Sequence, residues 1–138
     1  MPRPSVWLLR AALGHLALGF TVGAVLLAHK GIPFAPGATL LLRPAHRELL
    51  LVGWTIQLVM GVAFWIFPRR RLSGSPYGRE SLAWLAFALL NAGVWLAILG
   101  SANVPWLVLV GRVAEVGAAA AFAANLWGRV RAFGLSQI

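Results

Sequence analysis

The chain has 138 residues, of which 60% are hydrophobic and 11% are charged, and its formal net charge is +9 at pH 7. Soluble domains carry roughly a quarter of their residues as charged side chains, so the composition argues against a water-soluble domain and favours one lipid-embedded domain over residues 1–138. The absence of cysteine excludes disulfides, cysteine-ligated zinc, iron–sulfur clusters and thiol catalysis.

The first apolar run covers about residues 6–28 and is long enough to cross a bilayer as a helix. His15, Gly19 and Gly23 recur every four residues and therefore lie on one face of that helix. Small residues at this spacing allow a second helix to approach closely. We expect this face, including His15, to contact another helix rather than lipid.

A second span is predicted over about residues 47–67, after a loop that the glycines and prolines between residues 31 and 45 indicate. From Leu49 to Phe67 the only strongly polar side chain is Gln57. These nineteen residues would rise about 28 Å as a helix, close to the thickness of the hydrocarbon core. His46 lies at the mouth of the helix, and a neutral imidazole there can ligate a metal.

One face of the second span combines a histidine, an amide and small residues. In steps of three and four positions, this face carries His46, Leu50, Gly53, Gln57, Met60, Gly61 and Phe64. A flat macrocycle would fit against Gly53 and Gly61, because no side chain projects from them. The alternative is helix–helix packing, with Gln57 hydrogen-bonded across the interface.

The third span is predicted at about residues 81–99 and the fourth at about 105–127, joined by a short link that indicates an antiparallel hairpin. Arg112 and Glu115 are three residues apart and lie well inside the bilayer. Charges at this depth are costly and usually pair within a bundle. Three roles stay open: a structural ion pair, a proton path, and a counter-charge from Arg112 for haem propionates.

Basic residues are distributed unevenly between the two sides of the predicted bundle. The side that holds the N-terminal segment, the link between the second and third spans, and the C-terminal tail carries Arg3, Arg10, Arg69, Arg70, Arg71, Arg79, Arg129 and Arg131. The other side carries Lys30, Arg43 and Arg47. This bias predicts that both termini are cytoplasmic, in the cell inner (plasma) membrane. No nucleic-acid partner is expected, because the arginines flank apolar runs and form no separate basic face.

Two spans carry segments that resemble a known family. The second span has RPAH at 43–46, LLLVGW at 49–54 and GVAFWIFPR at 61–69, and the fourth has GRVAE at 111–115, AF at 121–122 and WGRVR at 127–131. The chain thereby resembles short four-helix relatives of haem–copper oxidase subunit I. In that superfamily a histidine near the outer end of a second helix ligates haem iron, and His46 is the matching position.

The chain also departs from these relatives at two positions. Glu48 stands where some of them have a second histidine, and Asn125 stands where they often have a histidine in the fourth span. We expect Glu48 to pair with Arg43 or Arg47, and the alternative is an oxygen ligand in a mixed metal site. Three histidines cannot form a complete oxygen-reducing centre, so no complete oxidase and no catalytic residue is expected. The large subunit has three arcs of four helices, and resemblance to one arc implies a homotrimer.

The sequence thus predicts an all-α bundle of four transmembrane helices, with both termini inside, that resembles one arc of the oxidase subunit. The expected function is b-type haem binding for electron transfer or gas sensing, with His46 as the metal ligand. The predicted cofactor-binding residues are His46, Gly53, Gln57, Gly61 and Arg112. The alternative is a non-catalytic structural subunit of a larger respiratory membrane complex.

Overall fold

The computed structural model describes residues 1–34, 37–68 and 77–130, and these residues form helices without strands. In chain order the elements are α1 (Arg3–Gly31), α2 (Ala38–Glu48), a π-helix (Leu49–Ile56), α3 (Gln57–Ile66), α4 (Glu80–Gly100) and α5 (Pro105–Trp127). Arg69, Arg70, Arg71 and Arg131, which contribute to the predicted orientation, lie outside the described residues.

The described residues form four long helices, because α2, the π-helix and α3 follow one another without a break. The four are long and apolar enough to cross a membrane, and they cover Arg3–Gly31, Thr39–Ile66, Glu80–Gly100 and Pro105–Trp127. The chain is therefore a multi-pass membrane protein, and the prediction of four apolar helices is confirmed.

The second long helix begins nine residues earlier than predicted, and the loop expected as far as residue 45 is wrong. Gly37 adopts the left-handed conformation, with φ of 85°, and the helix starts directly after it, with Pro44 inside α2. Proline costs the helix one hydrogen bond, but its fixed φ is itself helical, and transmembrane helices tolerate it. His46 consequently lies two turns inside a helix rather than at its mouth.

The π-helix at Leu49–Ile56 has no counterpart in the sequence prediction. Its wider turn places each backbone donor five residues after its acceptor, and Thr55 Oγ1 donates to the carbonyl of Leu50 at 2.8 Å with the same spacing. Gly53 lies within this segment. Such segments are frequent at functional sites.

Helices α4 and α5 form the antiparallel hairpin that the short link predicts. Glycine makes their approach possible: a Cβ atom on Gly111 would lie 2.8 Å from both the nitrogen of Ala97 and the carbonyl oxygen of Gly93. Since both neighbours are backbone atoms, they cannot rotate away. The hairpin therefore depends on the absence of a side chain at Gly111.

We expect Gly111→Ala to destabilise the bundle by roughly 1–3 kcal/mol, because the added methyl group must push two helix backbones apart. Thermal unfolding in detergent, followed by far-UV circular dichroism, measures this loss. Gly14→Ala is the matched control, since a Cβ atom there has nothing within 4 Å. Equal unfolding temperatures for the two variants would contradict the proposed close contact.

The core forms where α1, α3, α4 and α5 meet. Its main cluster consists of Leu8, Met60, Phe64, Ala83, Ala86, Leu90, Ala118, Phe122 and Leu126. Trp7, Trp65, Trp106 and Trp127 lie near helix ends and are 46–83% exposed, as expected for aromatic belts at the membrane interface. The buried cluster thus holds the two helix pairs together, while the outward-facing tryptophans suit the lipid boundary.

Candidate functional site

His46 projects from α2 onto α1 and is held there by a backbone hydrogen bond. Its Nδ1 lies 2.8 Å from the carbonyl oxygen of Gly19, and its Cε1 would lie 2.7 Å from a Cβ atom on Gly23. The ring therefore occupies the space that glycine leaves. Because a carbonyl only accepts, Nδ1 carries the hydrogen, and Nε2 keeps a lone pair.

A groove, which we call the His46 groove, lies between α1 and α2, near the end of α1 and the start of α2. It is lined by Gly23, Leu26, Leu27, His29, Lys30, Thr39, Arg43 and His46 and has a volume of about 440 Å³. Small-molecule sites typically measure roughly 300–1,000 Å³. The groove combines an apolar wall, cationic side chains and a half-buried imidazole whose only hydrogen bond to the described residues is made by Nδ1.

His15 makes a similar contact deeper in the bundle. Its Nδ1 lies 3.1 Å from the carbonyl oxygen of Gly53 and 3.1 Å from Oε1 of Gln57, and its ring centroid is 6.1 Å from that of Trp95. Gln57 is fully buried, and its Nε2 has no hydrogen-bond partner among the described residues. His15 and Gln57 thus form a polar contact between α1 and the second long helix.

Gly53 and Gly61 also face α1, which corrects the expectation that they leave room for a macrocycle. The His15 ring fills the space beside Gly53, and the side chains of Leu8 and Leu9 fill the space beside Gly61. These two glycines and Gln57 do not line the His46 groove. Helix–helix packing, the alternative interpretation of this face, is what the contacts show, and of the predicted set only His46 borders the groove.

Arg112 is bound by two carboxylates of the chain itself. Its Nη1 and Nη2 donate to Oε1 and Oε2 of Glu48 at 2.8 and 2.6 Å, and Nη1 also donates to Oε2 of Glu115 at 2.7 Å. The expected pairing of Glu48 with Arg43 or Arg47 is therefore wrong. The reason is the bundle itself, which brings the Arg112 side chain of α5 within reach of Glu48 at the end of α2 and offers that carboxylate a planar, two-pronged partner.

A separate cavity of about 380 Å³ lies beside this ion pair and is lined by Arg47, Glu48, Ser101 and Arg112, among others. His46 does not line it. The expectation that Arg112 supplies a counter-charge for propionates bound near His46 is corrected, because Arg112 borders a different cavity and is already paired. The structural ion pair, one of the three roles left open, accounts for its contacts.

Arg129 has a role that the sequence analysis missed. It is 1% exposed, and its Nη2 lies 2.8 Å from the carbonyl oxygens of both Phe64 and Phe67, while Nε lies 3.2 Å from that of Pro68. The last carbonyls of a helix have no partners within it, so Arg129 caps the end of α3. An arginine just beyond a predicted span is expected to flank the membrane. No pattern in the local sequence indicates that this side chain folds back onto the end of α3.

The His46 groove suits a haem better than a metal ion bound by side chains alone. Within residues 1–34, 37–68 and 77–130, no three histidine, aspartate or glutamate side chains converge on a metal site. Haem iron needs only an axial donor from the protein, which His46 offers, and the leucines and cations of the groove match an apolar ring that bears carboxylates.

Family models, curated proteins and solved structures were compared with the chain, and none of them matches it.

Proposed function

We propose that this chain is a membrane haem protein in which His46 is an axial ligand of a b-type haem, for electron transfer or gas sensing. The observation that carries the proposal is the 2.8 Å contact between Nδ1 of His46 and the carbonyl oxygen of Gly19. Histidines that ligate metals usually donate their other N–H to such an acceptor, which fixes the tautomer and strengthens the donor nitrogen. The resemblance to haem–copper oxidase subunit I supports the same position.

Each part of the groove has a task in this proposal. Haem, when bound, supplies reversible one-electron chemistry and a site for a diatomic gas. Gly19 orients the His46 ring through its carbonyl, and Gly23 gives the ring space. Leu26 and Leu27 line the groove with apolar side chains, which lower the dielectric next to the ligand and thereby influence its redox potential.

His46→Asn tests the proposal directly. The asparagine amide can still donate to the carbonyl of Gly19, but it has no equivalent of Nε2. After expression with ample haem, we expect the purified wild-type protein to show a Soret band and the variant to lose nearly all of it. His15→Asn is the matched control, because it changes a histidine bound to a backbone carbonyl away from the groove, and its Soret band should persist.

Two spectroscopic results would contradict the haem proposal, and a third would support it. A wild-type protein without a Soret band would rule out the haem proposal, and so would a His46→Asn variant that keeps its full absorbance. Far-UV circular dichroism establishes that each variant is folded. Added imidazole should restore absorbance to His46→Gly, because the free ligand can occupy the space that the side chain vacates.

We propose further that both termini are cytoplasmic in the cell inner membrane, so that the His46 groove opens to the outer side. Within the described residues, Arg3, Arg10 and Arg79 lie toward one end of the bundle, and Lys30 and Arg43 lie at the groove. The positive-inside rule favours this orientation once the arginines at 69–71 are included.

A homotrimer is the assembly that we propose, and its support is the resemblance to one arc of the oxidase subunit together with exposed apolar surface. The most apolar windows of Arg3–Gly31 and of Pro105–Trp127 are each only 17% buried. Either lipid or helices from other chains must cover these faces. Native mass spectrometry of the protein released from detergent would give three chains if the proposal is correct.

The second candidate is a non-catalytic subunit of a larger respiratory membrane complex. It is favoured by the fact that His15 and His46 are both hydrogen-bonded to backbone carbonyls of a neighbouring helix, as expected of residues that only join helices. Co-purification with other membrane subunits, and an unchanged spectrum for His46→Asn, would support this candidate against haem binding.

A further inference from the structure

The His46 groove carries positive charge that no acidic side chain of the protein neutralises. Lys30 and Arg43 both line it, and the whole sequence has three acidic side chains. Glu48 and Glu115 both pair with Arg112, and Glu80 begins α4, a helix length away from the groove. Lys30 and Arg43 are therefore available to bind an anion in the groove.

The two cations lie on the same side of His46. Lys30 follows Gly23, which contacts the His46 ring, by seven residues, a rise of about 10 Å along α1. Arg43 precedes His46 by three residues, about 4.5 Å along α2. Because Lys30 lies near the end of α1 and Arg43 lies near the start of α2, both displacements point toward the end of the bundle where α1 ends and α2 begins.

The groove combines apolar and cationic side chains. Gly23 and His46 lie at one end of it, Leu26 and Leu27 of α1 lie level with Arg43 of α2, and Lys30 lies about one turn further along α1. A ligand that fits this order has an apolar body that can reach the imidazole and acidic groups on one edge. Haem b has this distribution, because its two carboxylates extend from the same edge of the ring.

We propose that Lys30 and Arg43 bind the two carboxylates of the haem in the His46 groove, so that the site selects a dicarboxylate macrocycle over its neutral diester. This inference rests on the proposed function. It assigns the task expected of Arg112 to two different cations, which line the groove and belong to neither the Arg112–Glu48 nor the Arg112–Glu115 ion pair.

The test compares two ligands and two proteins. Purified protein, depleted of haem and held in nanodiscs of neutral lipid, is titrated with haem or with haem dimethyl ester, and the Soret change gives each Kd. Wild type should bind haem roughly tenfold more tightly than the diester, the order of effect expected for two partly exposed ion pairs. Lys30→Gln/Arg43→Gln should bind both ligands alike, with the diester affinity unchanged.

A charge-matched control comes from the opposite end of α1. Arg3→Gln/Arg10→Gln also removes two positive charges, from residues that do not line the groove. It should retain the tenfold preference for haem. A preference that falls equally in both double variants would show that net charge is responsible, and this result would overturn the assignment of Lys30 and Arg43.

The failures of the two proposals can be told apart. Absence of a Soret change with either ligand defeats haem binding and, with it, this inference. A Soret change with equal affinity for haem and diester in wild type defeats the inference alone. If nanodiscs containing phosphatidylglycerol show lipid retention that depends on Lys30 and Arg43, while the preference for haem survives in the double variant, the two cations bind a lipid phosphate and the inference is overturned.

Discussion

Replacing Arg112 with methionine is expected to lower the stability of the bundle by about 2 kcal/mol, less than the loss measured when one partner of a fully buried ion pair is removed, because the Arg112 side chain is 48% exposed. The Glu48 and Glu115 side chains are only 8% and 11% exposed. Without the guanidinium, two like charges would remain in apolar surroundings. The substitution would also break the connection between α2 and α5 that the Arg112–Glu48 pair provides. Unfolding in a titration with sodium dodecyl sulfate, followed by far-UV circular dichroism, measures the effect.

Two further variants test the origin of that loss. Adding Glu48→Gln and Glu115→Gln to Arg112→Met should recover part of the stability, because the uncompensated charges are then absent. Arg47→Met is the matched control: Arg47 lines the same cavity but belongs to neither ion pair, so a change within about 0.5 kcal/mol is expected. Equal losses for Arg112→Met and Arg47→Met would show that the ion pairs contribute nothing specific.

The sequence predicts well those features that depend on the helical repeat and on the overall composition. His15, Gly19 and Gly23 share a face because a helix repeats every 3.6 residues, and all three do contact the second long helix, at Gly53, Leu50 and His46. The α4–α5 hairpin follows in the same way from a short link. No tertiary information is needed for either conclusion, since each depends on neighbours within a few positions of the chain.

The predicted start of the second helix is wrong because two signals in the local sequence conflict there. Pro44 indicates an interruption, yet its φ is compatible with a helix, and the apolar run after it stabilises helix on both sides. The π-helix at Leu49–Ile56 could not be anticipated, because its composition differs little from that of an ordinary apolar helix. The sequence indicates that the face with Gly53 and Gly61 contacts something other than lipid. That α1 covers this face is decided by tertiary packing.

The pairing of Glu48 with Arg112 shows the same limit for the site. The two residues are 64 positions apart, and nothing near Glu48 in the sequence favours Arg112 over Arg43 or Arg47. Composition does make one deduction possible: with three acidic side chains against twelve lysines and arginines, most cations must find other partners. Arg129 donates hydrogen bonds to backbone carbonyls. In the proposal above, Lys30 and Arg43 bind the carboxylates of a ligand.

Arg129→Met should destabilise the bundle by about 3 kcal/mol, since buried carbonyl groups that lose a charged donor are costly. The guanidinium donates to the carbonyls of Phe64, Phe67 and Pro68, and its Cζ lies 5.2 Å from the centroid of the Phe64 ring and 5.8 Å from that of Tyr77. Methionine occupies a similar volume but offers no donor and no charge above those rings. Detergent-induced unfolding, followed by tryptophan fluorescence, gives the change in the free energy of unfolding.

Arg129→Lys distinguishes capping from charge alone. A lysine retains the positive charge and the possibility of a contact with the rings, but its single ammonium group cannot reproduce the planar set of donors that reaches three carbonyls. We expect it to recover less than half of the stability lost in Arg129→Met. Arg10→Met provides the surface control, because Arg10 lies 5.8 Å from the exposed ring of Trp7 and should contribute under about 0.5 kcal/mol. If lysine restored full stability, the positive charge above Phe64 and Tyr77 would be sufficient, and the capping of α3 would contribute nothing.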